Sequence, residues 1–214
     1  MVIKSNLHEI EAIIDFCEGK SKIPFRFDPF LHLRYDGNVA RNVEIRNERL
    51  NPDEIVQLET SNTKHFASLL KNCDHLIVEK QFSYDECKVC QDQFICETLD
   101  NHSRLFGCGI GVGEFNISYD GKLRLCSALV APEFTYDLRM GTLQAGLNEL
   151  SRKVREMRVQ SERLMRTCKS CNIVNLCGWC AATAYLETGS LEGEVPFFCK
   201  VAHAREAALL KGGT

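Results

Sequence analysis

The sequence lacks the features that would direct a chain into a membrane, out of the cell or onto nucleic acid. No apolar run approaches the roughly 18 residues that a membrane-spanning helix needs. The opening residues, MVIKSNLHEI, contain no apolar signal-peptide core, which favours the cytoplasm. The net charge is only -3, so no basic surplus attracts nucleic acid. We therefore expect a cytoplasmic protein that binds neither membranes nor nucleic acid.

Several common catalytic motifs are also missing. The sequence contains no glycine-rich phosphate-binding loop, no GxSxG and no HExxH. These motifs are typical of phosphate-binding enzymes, α/β-hydrolases and zinc peptidases, respectively. The sequence alone therefore leaves open whether this chain is an enzyme.

Cysteine, in contrast, is abundant, with 12 residues in a chain of 214. In a cytoplasmic protein this number favours metal ligation over disulfides. The stretch CKSCNIVNLCGWC contains Cys168, Cys171, Cys177 and Cys180. Each Cys-x2-Cys pair can turn two thiolates onto one centre, and sulfur ligands select zinc or iron–sulfur clusters.

Three further cysteines lie on either side of this stretch. Cys108 and Cys126 precede it, and Cys199 follows it. The segment EFNISYDGKLRLC alternates apolar and polar residues around Asp120-Gly121, which predicts a β-hairpin. Because the hairpin ends on Cys126, a rigid turn would hold that thiolate at a fixed distance from Cys108.

The N-terminal residues have the pattern of a strand–helix–strand unit. A capping-box pattern, Asn6 followed by Glu9, begins a helix that Gly19 ends. Strand-forming segments flank the helix at residues 2–3 and 23–38. Such a βαβ unit belongs to a parallel sheet.

Two parallel strands alone would leave an exposed sheet edge. We therefore expect residues 1–72 to need a missing barrel half, another partner or a homodimer mate in order to be well ordered.

Four more helices are expected. The first begins at Asn51 and Pro52, and the second covers residues 143–157, where apolar side chains repeat at steps of three and four. The third is a short helix at residues 179–187, and the fourth begins at Pro196. The polar face of the helix at residues 143–157 is basic, and this basic run continues beyond the helix: Arg152, Lys153, Arg155, Arg158, Arg163 and Arg166. The run could dock an acidic partner, although such a face is more often simply solvated. His203, one turn after Cys199, is expected to be packed or hydrogen-bonded.

In order, the seven cysteines read Cys-x12-Gly-x4-Cys, Cys-x2-Cys-x5-Cys-x2-Cys and a final Cys199. This pattern resembles the SPASM domain, the auxiliary-cluster module at the C-terminus of many radical SAM enzymes. One departure is that Gly178 and Trp179 are two residues where the family usually has three. The N-terminal segment resembles the end of a radical SAM partial barrel, but the Cys-x3-Cys-x2-Cys loop that binds S-adenosylmethionine occurs nowhere in the sequence.

The resemblance implies an α/β fold followed by an α+β fold. Residues 1–72 would be the C-terminal fragment of a partial (β/α) barrel, residues 73–107 a connector with a CxxC pair, and residues 108–214 a SPASM-like domain with a β-hairpin and helices.

The resemblance also implies two [4Fe-4S] clusters. Cys168, Cys171, Cys177 and Cys199 would hold one, and a second set would hold the other: Cys108, Cys126 and Cys180. Structural zinc uses the same ligands and is the alternative. S-adenosylmethionine would bind only if the missing N-terminal part were supplied.

A third cysteine run, Cys87, Cys90 and Cys96, repeats the x2–x5 spacing and lies outside the family pattern. Cys96 is our preferred fourth ligand for the upstream cluster. The run could equally bind a separate zinc or cluster with His75 or His102, or act as redox thiols.

The function implied is the cluster-binding portion of a radical SAM/SPASM oxidoreductase or of a peptide or protein maturase. Its partners would be a peptide or protein substrate and an electron-donor protein, and the chain alone would be inactive in S-adenosylmethionine cleavage. The alternatives are a stand-alone electron-transfer module and a zinc-stabilised interaction module.

Overall fold

The structure, a computed structural model, describes residues 1–21, 25, 27–61, 103–106, 108, 110–111 and 114–212. Within these residues, no helix combines the length and the apolar character needed to cross a bilayer. In the described ranges, the fold has an N-terminal helical part and a C-terminal part with a small antiparallel sheet and four α-helices.

The described N-terminal residues form helices joined by an extended segment. A helical stretch contains the 3-10 turn Lys4–Glu9, α1 (Ile10–Ile14) and the π-turn Asp15–Lys20; α2 (Val39–Glu48) and α3 (Pro52–Ser61) follow. The predicted start of α3 is confirmed.

The caps of α2 and α3 explain where these helices begin. Asn51 and Glu54 cap α3 reciprocally. The Asn51 side chain accepts the N–H of Glu54 at 2.9 Å, and the Glu54 side chain accepts the N–H of Asn51 at 2.7 Å. Helix α2 was not predicted, and its local signal is Asn38, whose side chain accepts the N–H of Arg41 at 3.0 Å.

The predicted βαβ unit is not found, because no strand occurs among the described residues of this part. Residues 27–34 form no strand: the N–H of Val2 donates to the carbonyl of Asp28 at 2.9 Å, but the bonds to α2 and to Arg49 involve side chains. The N–H of Arg34 donates to the side chain of Asn42, and Arg49 donates to the carbonyl of Leu31, both at 2.9 Å. Pro29 has no N–H to donate to a ladder. The exposed sheet edge that suggested a barrel partner or homodimer mate is therefore absent from these residues.

The first helical stretch also begins earlier than predicted. Its first turn starts at Lys4, so Asn6 lies inside the turn rather than at the cap. The Asn6 side chain reaches back and accepts the N–H of Ile3 at 2.8 Å. The stretch ends at Lys20, beside the predicted terminator Gly19.

The predicted β-hairpin is present. Strand β1 (Asn116–Ile117) pairs antiparallel with β2 (Lys122–Arg124), and β2 pairs with β3 (Tyr136–Asp137). Gly121 has a φ of 78°, a left-handed conformation that glycine adopts without strain.

The predicted amphipathic helix is present as α4 (Leu143–Glu156), and its apolar face packs on this sheet. Leu123 and Leu150 are buried in the core that the two elements share. Gly146 is required for this close approach, because a Cβ there would lie 2.6 Å from the ring of Tyr136.

The cysteine-rich stretch alternates short helices and tight turns. Helix α5 (Glu162–Arg166) precedes it, and the 3-10 turn Val174–Leu176 lies within it. Helices α6 (Ala181–Thr188) and α7 (Pro196–Gly212) follow, close to where they were predicted. Helix α5 was not predicted, although Ser161 provides a capping side chain.

The N-terminal part packs against α7. Val2, Ile55 and Leu58 share a core cluster with Val201 of α7. Two ion pairs with largely buried side chains join this part to the C-terminal helices: Arg205 of α7 with Glu59, and Glu187 of α6 with Arg49. The predicted boundaries at residues 72 and 107 fall on residues that the structure does not describe, so they remain predictions.

Breaking the Arg205–Glu59 pair should destabilise the protein strongly. Arg205→Met is expected to lower the free energy of unfolding by about 3–5 kcal/mol, because buried Glu59 would lose the charge that offsets its own. Urea unfolding measures this loss. Arg41→Met is the matched control: its pair with Glu44 is exposed and should contribute less than about 1 kcal/mol. Equal losses in the two variants would contradict this account.

Candidate metal centre

Six cysteines line one cavity of about 550 Å³. This volume lies within the roughly 300–1,000 Å³ typical of ligand and cofactor sites. The thiols come from the segment before the hairpin, from the cysteine-rich stretch and from α7: Cys108, Cys168, Cys171, Cys177, Cys180 and Cys199. All four predicted ligands of the first cluster thus line this cavity, together with two of the three assigned to the second.

Successive tight turns bring Cys168, Cys171 and Cys177 to the cavity. The N–H of Cys168 continues α5 by donating to Leu164 at 3.0 Å. The N–H of Cys171 turns back to the carbonyl of Cys168 at 3.4 Å, and the N–H of Cys177 closes the 3-10 turn on Val174 at 3.0 Å. Each chelate loop is therefore folded by its own backbone.

Cys177 is electrostatically coupled to the other three predicted ligands of its cluster. Burial raises the pKa of its thiol above the usual value, and negative charge on Cys168, Cys199 and Cys171 raises it further. A hydrogen bond from the Trp179 backbone acts in the opposite direction. The groups whose charge acts on the Cys177 thiol are thus the same three cysteines that the resemblance assigns to its cluster.

Cys180 has a second role that the sequence analysis missed. It is the N-cap residue of α6, and its Sγ accepts the N–H of Thr183 at 3.4 Å. The Cys180 sulfur thereby accepts from one of the backbone N–H groups that have no partner within the first turn of the helix. Its position one residue before the helix is the signal that could have indicated this role.

Cys199 lies in the first part of α7 and is exposed. His203, one turn later, also lines the cavity, and its Nδ1 lies 3.3 Å from a carboxylate oxygen of Glu206. The prediction of a hydrogen-bonded histidine is therefore confirmed.

Cys126 is not among the residues that line the cavity. It follows β2 closely, is half-buried, and packs against the core beneath the hairpin. The structure therefore does not bring Cys126 to the cavity that contains Cys108 and Cys180.

Across the described ranges, no three Cys, His, Asp or Glu side chains are arranged closely enough to hold a single metal ion. Cys87, Cys90, Cys96, His75 and His102 lie outside the described residues, so the third cysteine run remains a prediction.

The cavity wall is mainly apolar. Leu105, Phe106, Ile173 and Val174 line it together with Trp179, whose indole N–H donates to the carbonyl of Gly193 at 2.9 Å. Of the six cavity cysteines, Cys108, Cys180 and Cys199 are exposed and the other three are half-buried. Apolar groups beside a redox centre limit solvent access, which tunes its potential. Six sulfur donors in an apolar cavity match the ligand chemistry of an iron–sulfur cluster.

Two side chains near the thiols were missed in the sequence. The Thr167 hydroxyl donates to the carbonyl of Arg163 at 2.8 Å and also lies within hydrogen-bond distance of the Cys168 sulfur, at 3.7 Å. Lys169 Nζ donates to the carbonyl of Arg104 at 2.6 Å. Burial lowers the pKa of Lys169, and negative charge on Cys168 opposes that shift. Both residues are neighbours of Cys168, which is the signal that could have drawn attention to them.

The basic run on α4 and α5 is largely compensated by acidic side chains. Four of its members form ion pairs, and they are Arg152 with Glu156, Lys153 with Glu149, Arg163 with Glu194, and Arg166 with Glu162. Local pairing accounts for these charges without an acidic partner. Docking of a partner at this face remains a prediction.

One part of the chain is similar to a known protein family. Residues 108–172 match the family model of SPASM, an iron-sulfur cluster-binding domain. No curated protein and no solved structure matched the chain. The matched residues contain the hairpin and the first Cys-x2-Cys pair, so this chain carries a SPASM iron–sulfur cluster-binding domain.

Proposed function

We propose that this chain holds two [4Fe-4S] clusters as the auxiliary-cluster portion of a radical SAM/SPASM oxidoreductase or of a peptide or protein maturase. The observation that carries the proposal is the single apolar-walled cavity lined by six of the seven pattern cysteines. The SPASM match over residues 108–172 supports the cofactor class.

The first cluster is assigned to Cys168, Cys171, Cys177 and Cys199. All four line the cavity, and the other three act electrostatically on Cys177. The second is assigned to Cys108 and Cys180, which also line the cavity, with Cys126 included on the family pattern alone. Sharing one loop between two ligand sets would lock both sites into one rigid body.

When bound, such clusters supply one-electron transfer. The protein's own residues have three tasks around them. The turns at Cys168 and Cys171 orient the thiolates, Trp179 and Phe106 exclude water, and Thr167 places its hydroxyl within hydrogen-bond distance of a ligand sulfur. Hydrogen bonds to ligand sulfurs and limited solvent exposure both set the potential.

Cleavage of S-adenosylmethionine requires a Cys-x3-Cys-x2-Cys loop, which these 214 residues do not contain. We therefore assign that step to protein outside this sequence. The clusters held here would exchange electrons with a donor protein or contact a peptide or protein substrate.

The metal content of protein purified without oxygen tests the cofactor assignment. Two [4Fe-4S] clusters predict about eight iron and eight acid-labile sulfide atoms per chain. Colorimetric iron and sulfide assays, with EPR of the reduced sample, measure this. Zinc without sulfide would overturn the redox proposal and leave a zinc-stabilised interaction module.

Replacing one ligand should remove one cluster and loosen the loop. Cys171→Ala is expected to lose about half of the iron and to lower the melting temperature, since metal binding here also stabilises the fold. Cys17→Ala is the matched control, because Cys17 is a free, half-buried thiol that does not line the cavity. Full iron and an unchanged melting temperature in Cys171→Ala would refute the ligand assignment.

The role of Cys126 can be separated from that of Cys108. If both bind the second cluster, Cys126→Ala and Cys108→Ala should each lose about half of the iron and weaken the same EPR signal. A loss in Cys108→Ala alone would remove Cys126 from the ligand set and leave it as a core residue beneath the hairpin.

A further inference from the structure

Lys169 connects two segments that carry different predicted ligands. It lies inside the first Cys-x2-Cys loop, directly after Cys168. Its Nζ donates at 2.6 Å to the carbonyl of Arg104, 65 residues earlier in the chain. The side chain is half-buried and lines the cavity.

The segment that Lys169 contacts leads to Cys108. Residues 103–106 are held against the end of α4 by backbone bonds, from Val159 to Ser103 at 2.7 Å and from Leu105 to Met157 at 3.2 Å. Leu105 is also buried in the core. Lys169 adds the link from this segment to the loop of Cys168 and Cys171.

Lys169 also places a basic side chain in the cavity that the six cysteines line. Among the described residues lining the cavity, the basic side chains are Lys169 and His203, and none is acidic. His203 faces Glu206 on its own helix, whereas Lys169 lies next to Cys168. Partial burial reduces the screening of a charge by water, so its effect on nearby thiolates is larger than at the surface.

We propose that Lys169 is a positioning residue of the cluster site: it anchors the segment leading to Cys108 to the cysteine loop, and it raises the reduction potential of the cluster held by Cys168. This inference rests on the proposed function. Net charge near a cluster is one of the factors that set its potential, and a fixed cation favours the reduced, more negative state.

Three substitutions separate the charge from the anchor. Lys169→Arg keeps the charge and a donor, Lys169→Gln keeps a donor without the charge, and Lys169→Met removes both. Lys200→Met is the matched control, because Lys200 also directly follows a predicted ligand, Cys199, but is exposed.

The charge is tested by anaerobic redox titration with dithionite, followed by EPR. At fixed potential, Lys169→Gln and Lys169→Met should decrease the ratio of reduced to oxidised cluster about tenfold, a shift of about 59 mV for one electron. Lys169→Arg and Lys200→Met should match the wild type. An unchanged potential in Lys169→Gln with full iron would overturn the electrostatic role.

The anchor is tested by amide hydrogen exchange. Exchange at residues 103–106 should rise about tenfold in Lys169→Met and stay at the wild-type rate in Lys169→Arg and Lys200→Met. Unchanged exchange in Lys169→Met would overturn the anchoring role. A wild-type protein without iron and sulfide would instead refute the proposed function, so the two failures are distinguishable.

Discussion

The buried ion pair between Arg205 and Glu59 links the N-terminal part to the metal centre. Arg205 bonds Glu59 of α3, donates to the carbonyl of Leu176 at 2.6 Å and lies over the ring of Phe30 at 5.2 Å. Leu176 directly precedes Cys177, and Arg205 lies on the helix that also carries Cys199. A buried carboxylate is strongly unfavourable unless it is paired, so the packing of α3 on α7 and the placing of two ligands depend on the same guanidinium.

The elements that could be predicted from the sequence are those with local causes. The hairpin follows from Asp120-Gly121, and α3 follows from the cap at Asn51. The two predicted N-terminal strands are not found among the described residues, because an apolar segment was interpreted as part of a hydrogen-bonded sheet. In the structure, residues 27–34 bond to side chains of α2 and of the residue that follows it, and no local pattern specifies those distant partners.

The predictions for the candidate site also divide into those with a local cause and those that depend on distant residues. Cysteine spacing singled out seven candidate ligands, and six of them line one cavity. Spacing could not predict that Cys126 would pack beneath the hairpin, because that depends on where the sheet settles against α4. Nor could it predict the bond from Lys169 to Arg104, since the two residues are brought together only by the backbone pairing of residues 103–106.

Collecting thiols in an apolar cavity links metal binding to protonation and to folding. Burial and negative charge on the neighbouring cysteines raise the pKa of Cys177, so without a cation the thiol tends to keep its proton. Iron or zinc reverses that balance, because a bound cation favours the thiolate and displaces the proton. Arg205, which pairs with Glu59 of α3, donates to the carbonyl of Leu176, the residue before Cys177. Metal binding at Cys177 would therefore also tighten the contact with α3. Acid would then weaken metal binding and the packing of the N-terminal part together, through the same loop.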